Sequence, residues 1–121
     1  MLKARLDSFR YAFKGIADLF RHTPNARIHL FATCCVVIAG FFFGITRIEW
    51  CILILCIALV LAAEAANTAI EYLTDLVSPD YHKLAGKTKD VAAAAVLIAA
   101  IGAAITGIII FVPYFIEIMS K

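Results

Sequence analysis

The stretch from Trp50 to Asp75, W-C-I-L-I-L-C-I-A-L-V-L-A-A-E-A-A-N-T-A-I-E-Y-L-T-D, begins as an apolar run and then turns polar along one side. Glu64 is followed by Asn67, Glu71 and Asp75, at offsets of 3, 7 and 11 residues. On a helix that turns about 100° per residue these four lie within roughly 80° of one another and make a single stripe. A carboxylate inside a membrane span costs roughly 2.5–3.5 kcal/mol on insertion scales, so an ionisable group there points to function. At a rise of about 1.5 Å per residue the stripe is about 16 Å long, enough to reach from the membrane surface into the bilayer. The outer half of the segment is Ile, Leu, Val and Cys, whereas the half that carries the stripe turns to Ala. Small residues let neighbouring helices approach, which turns the polar face into a bundle and away from lipid.

The rest of the chain agrees with a membrane setting. Of its 121 residues 64% are hydrophobic and 17% charged, with a mean hydropathy of +0.94, where a soluble domain carries about 25% charge. The charges are segregated, and residues 1–121 read as one all-α membrane domain. Residues 2–21 carry Leu2, Leu6, Phe9, Phe13, Ile16 and Phe20 on one helical face and Lys and Arg on the other, the pattern of a helix lying in the membrane plane. Thr23-Pro24-Asn25 breaks it. The first span is expected over 29–46, the second over 50–73 and the third over 91–116. Between the last two, Ser78-Pro79-Asp80 stops a helix and Tyr81–Asp90 reads as a polar loop with Gly86 supplying flexibility. Ala95, Ala99, Ala103 and Gly107 suggest a close-packing face, and Pro113 a kink. The first twenty residues lack the apolar core of a cleavable signal peptide. Cys34, Cys35, Cys51 and Cys56 sit in apolar runs without zinc-ligand spacing and read as small hydrophobes. A net charge of +2 with no dense basic run argues against nucleic acid as a partner.

Six Lys and Arg precede the first span and three follow the second, against Arg47 and Lys121 on the other side. The positive-inside rule then places the N-terminus and the Tyr81–Asp90 segment in the cytoplasm and the C-terminus outside. The stripe opens to the side that holds ATP. Three spans are too few to shield it, so several chains are expected to associate symmetrically. Chemically, three uses are open. An ion pathway needs only one or two carboxylates and no basic segment, and would belong to a non-catalytic or ion-conducting membrane subunit. A transporter would show internal repeats, and none is present. Phosphoryl transfer uses most of the parts: carboxylates for Mg²⁺, a lysine for phosphate, a deeper carboxylate as base. A phosphatase is a weaker reading of the same groups. No G-x-x-x-x-G-K-[ST] loop or protein-kinase signature occurs, so a kinase here would be of an unusual class.

E-A-A-N-T-A-I-E-Y-L-T-D, followed by Y-H-K-L-A-G-K-T-K-D-V-A-A-A-A-V, resembles the prokaryotic diacylglycerol kinase family of small bacterial membrane lipid kinases, over nearly the whole chain. The resemblance implies an N-terminal surface helix with three transmembrane helices, assembled as a homotrimer in the bacterial cytoplasmic membrane. It implies transfer of phosphate from ATP, with Mg²⁺, to a membrane lipid. It makes Glu64 the general base, Glu71 a Mg²⁺ ligand and Asn67 a support for phosphate or headgroup. Asp75, His82, Lys89 and Asp90 fall on nucleotide-side positions, and Arg5 on a lipid-contacting position of the surface helix. One branch of the family acts on diacylglycerol and another resembles an undecaprenol kinase; N-A-R-I-H-L from Asn25 to Leu30 and Ala93 resemble the second. The chain departs from the family at Thr23, where a metal-binding Glu is usual, and Thr is the poorer Mg²⁺ ligand.

Overall fold

The computed structural model describes all residues, Met1–Lys121, as four helices without a strand. Helix α1, Leu2–His22, follows the amphipathic period, and its apolar side chains from Leu2 to Ile16 are exposed, covered by no other part of the chain. Thr23 alone is extended (φ −117°, ψ 104°) before α2, Pro24–Phe43, starts with Pro24 in its first turn. That position costs nothing, because the missing N–H has no helical partner there. Arg27 reaches back across the corner: its Nε donates to the Phe20 carbonyl at 2.7 Å and its Nη2 to that of Arg21. Two carbonyls left over at the end of α1 are thereby satisfied, and the angle between the two helices is fixed.

Gly44 ends α2 in the left-handed conformation (φ 63°, ψ 50°), which favours glycine. The turn tucks Ile45 into the interior. Thr46 then caps α3, Arg47–Val77, in a reciprocal pair: Thr46 Oγ1 accepts from the Glu49 N–H at 3.2 Å and Glu49 Oε1 from the Thr46 N–H at 2.9 Å. The Tyr114 hydroxyl of α4, Lys83–Met119, donates to the same Glu49 oxygen. Around this end of the bundle Ile45, Leu53, Ile110 and Phe111 form an apolar core, flanked by Phe43, Trp50 and Tyr114. Trp50 lies so close over Gly40 that a Cβ there would stand 2.7 Å from its ring.

Helices α2, α3 and α4 are each long and apolar enough to cross a membrane. At about 1.5 Å per residue α3 is about 46 Å long and α4 about 55 Å, against a hydrocarbon core of about 30 Å, so both project beyond it. Their joined ends, Val77 to Lys83, lie at the far end from the apolar core.

Several boundaries differ from the sequence expectation. The segment Tyr81–Asp90 is not a loop: only Tyr81 and His82 are non-helical, and α4 runs from Lys83 through Gly86. His82 makes this start possible, its Nδ1 accepting from the Leu84 N–H at 3.1 Å. The helix that carries the first expected span, 29–46, begins at Pro24 and stops at Phe43, because caps end helices where hydropathy cannot register them. Similarly α3 and α4 extend past 50–73 and 91–116 at both ends. The helix continues through Pro113 to Met119. Of the expected close-packing face of α4, Ala99 is buried and Ala103 and Gly107 are half-buried, while Ala95 is exposed and Ala92 and Val96 are buried instead. A strict four-residue spacing drifts about 40° per step around a helix of 3.6 residues per turn, so a straight contact alternates threes and fours.

Candidate active site

The buried polar side chains of this chain are Glu64, Asn67 and Thr68, at 1%, 8% and 6% exposure, all on two successive turns of α3. Two rows of side chains run along the helix from there. In the first, Glu64, Thr68 and Tyr72 each meet a residue from the N-terminal part. Glu64 Oε1 lies 3.4 Å from His29 Nε2 on α2, Thr68 Oγ1 lies 3.5 Å from Thr23 Oγ1 at the corner, and the Tyr72 hydroxyl donates to Asp18 Oδ2 on α1 at 2.7 Å. That last bond holds the Asp18 carboxyl below the usual carboxylate range. In the second row, Asn67 Nδ2 donates to Glu71 Oε1 at 3.5 Å, and Asp75 Oδ1 pairs with Lys89 Nζ of α4 at 2.5 Å. The stripe read from the sequence is real, and it passes from full burial at Glu64 to 62% side-chain exposure at Asp75.

Of the eight residues singled out from sequence, Glu64, Asn67 and Glu71 lie on one continuous face. Asp75, His82 and Lys89 line a separate cavity at the joined ends of α3 and α4, with Ser78, Asp80 and Gly86. Asp90 is exposed, with no side-chain partner. Arg5 is exposed on α1, thirteen residues or about 20 Å along the axis from the Asp18 tether, and is not brought to the cluster. Sequence reasoning missed His29, Thr68, Asp18 and Tyr72 as members of the site. A signal existed for the α3 members, since 64, 68 and 72 recur every four residues beside the recognised stripe. His29 and Asp18 carry no such mark, because the fold alone brings them across.

Two buried oxygens in this region accept no hydrogen bond, Glu64 Oε2 and Asn67 Oδ1. The assignment of the Asn67 amide is fixed by its neighbour, since only the NH₂ group can donate to the Glu71 carboxylate. Both orphans are therefore acceptors one turn apart, and what would satisfy them is a donor or a cation. No cluster of three His, Cys, Asp or Glu is gathered to hold a metal by itself. The Glu71 carboxylate is nonetheless a hard oxygen donor, which fits a Mg²⁺ that takes one or two protein ligands and completes its shell with phosphate and water. The four thiols are free and lie apart from this site.

Residues 10–111 match the family model described as prokaryotic diacylglycerol kinase. The chain belongs to the prokaryotic diacylglycerol kinase family. Among similar members are an undecaprenol kinase of Bacillus subtilis, 41% identical over 106 residues (88% of this chain and 86% of that one), and a diacylglycerol kinase of Synechocystis, 41% identical over 115 residues (94% and 66%). A diacylglycerol kinase of Escherichia coli is 33% identical over 105 residues (87% and 86%). As a member of the prokaryotic diacylglycerol kinase family the protein is a membrane lipid kinase, and the reading as a non-catalytic or ion-conducting subunit is not favoured.

Proposed function

We propose that this lipid kinase transfers the γ-phosphate of ATP to the hydroxyl of undecaprenol, with diacylglycerol as the second acceptor to be tested. The observation that carries the acceptor end is the buried, unpartnered Oε2 of Glu64: an alcohol O–H is the donor it lacks. The choice of a polyprenol rests on N-A-R-I-H-L and Ala93, with the 41% identity to the undecaprenol kinase, against 33% to the diacylglycerol kinase of Escherichia coli at nearly the same coverage, in line with it. Glu64 takes the proton from the acceptor hydroxyl as the oxygen attacks the γ-phosphorus, and ADP departs. The Glu71 carboxylate would hold Mg²⁺, which when bound neutralises charge on the phosphates, and Asn67 supports phosphate or headgroup. Lys89, kept in place by Asp75, faces the terminal phosphates; His82 and Asp90 border the nucleotide, and Arg5 serves lipid held by a neighbouring chain. The nucleotide side faces the cytoplasm, in line with the basic residues. Three chains assemble, which covers apolar side chains of a bundle that buries only 14 of its 121 residues by itself.

Phosphate transfer from γ-labelled ATP into extractable lipid, with undecaprenol and diacylglycerol in parallel, tests the reading. Undecaprenol is expected to turn over faster, and the protein to weigh three chains in mild detergent. Glu64→Gln is expected to lower turnover roughly 10²–10⁴-fold, the usual cost of losing a general base, with assembly intact because a buried charge has been removed. Near wild-type turnover of Glu64→Gln on both lipids would rule Glu64 out as the base, and preference for diacylglycerol would overturn the choice of acceptor.

A further inference from the structure

We infer that His29 is a positioning residue that selects which oxygen of Glu64 receives the acceptor's proton; the inference rests on Glu64 being the base. A Glu carboxylate turns about its last torsion in a broad, roughly two-fold well, so burial alone does not decide which oxygen faces the reactant. Here the two oxygens differ in what faces them. Oε1 lies 3.4 Å from His29 Nε2, and Oε2 is buried without a partner.

The imidazole is placed for this and for nothing else visible in the chain. His29 is the sixth residue of α2, whose entry is set by Pro24 and by the Arg27 bonds to the end of α1. Its carbonyl accepts from Thr33 Oγ1 at 2.8 Å within its own helix, but the ring meets no polar side chain except Glu64. It stands in the wall of a largely apolar groove with Ala32, Val36 and Val60. A polar ring at 23% side-chain exposure in such a wall is desolvated, and its cost is offset only by the carboxylate opposite. With Nε2 carrying hydrogen toward Oε1, the carboxylate plane is fixed and Oε2 is turned to the proton. Glu64 is left one oxygen to hold still and one to react with.

The test is steady-state kinetics of the full-length protein in lipid, with ATP and undecaprenol varied separately. His29→Leu is expected to lower kcat about 10- to 100-fold, within the range attributable to a misaligned base, with KM for ATP unchanged. His29→Gln keeps a side-chain N–H near the same place and is expected to recover most of that loss. If His29→Leu does not fold, His29→Asn takes its place: it is polar but too short to reach, and is expected to lose kcat likewise. In the Glu64→Gln background the same substitutions should add little, because residues that act as a unit are non-additive. Unchanged kcat in the Leu or Asn variant, equal losses in Gln and Leu, or a full further loss on top of Glu64→Gln would each overturn the role of His29. Full activity of Glu64→Gln itself would instead overturn the base on which the inference stands, so the two failures are told apart.

Discussion

Thr23 occupies the corner between α1 and α2, and its hydroxyl is 3.5 Å from that of Thr68, three residues before Glu71. Pro24 has therefore not carried residue 23 away from the site; it starts a helix that keeps the residue against α3. A carboxylate at this position would stand beside the face that carries Asn67 and Glu71, and would add a charged oxygen ligand for a hard cation. Thr23→Glu is expected to lower the Mg²⁺ concentration that gives half-maximal activity, read by titrating Mg²⁺ against turnover. No shift, in a protein still folded and active, would mean that the position is not a vacated ligand site. Individual residues were legible to different depths. Glu64, Asn67 and Glu71 declared themselves by being polar where apolarity was the rule. Thr23 was visible only as a departure from a family pattern, and His29 not at all as a contact, since nothing local says which imidazole will cross to which carboxylate.

Helices as elements were readable from hydropathy and period, whereas their ends were not. Three ends are decided by one or two residues each: the left-handed Gly44, the Thr46–Glu49 reciprocal cap and the His82 side chain. The T-x-x-E pattern was in the sequence, but a polar turn before Trp50 explains the same letters. Helix α1 poses a different question, since its apolar face is free and its attachment to the bundle rests on few bonds. One is Tyr72 to Asp18. The folded-state pKa of Asp18 lies below its unfolded value, chiefly through that bond. The tether thus contributes fully above the unfolded value of about 3.9 and is lost as pH falls through the folded one. Amide exchange near Asp18 is expected to be slow at pH 7 and to quicken in Tyr72→Phe, whereas once the pH has fallen through the folded-state pKa the two proteins should differ little, each referred to its own intrinsic rate. An equal gap at both pH values would remove Asp18 from the attachment of α1.

The whole molecule divides by end. Ile45, Leu53, Ile110 and Phe111 hold one end together by apolar packing, and the other end carries the polar ladder from Glu64 to Asp75 and Lys89. The all-helical membrane class was legible, because three long apolar runs leave a small chain no other home. The assignment of partners across the ladder was not, being a property of how helices cross. One feature of that ladder, its passage from a 1% exposed Glu64 to an open Asp75, sets the units in which this enzyme counts its reactants. On the proposed function ATP arrives at the open end as a solute, and its rate law follows bulk molarity. The acceptor would then reach Glu64 by lateral diffusion, with a rate law that follows mole fraction in the sheet of lipid. Diluting undecaprenol with inert phospholipid at constant total undecaprenol should therefore slow turnover roughly in proportion below saturation, while diluting the whole suspension at fixed ATP should leave turnover per enzyme unchanged. A rate that tracked bulk undecaprenol instead would mean that the acceptor enters from water.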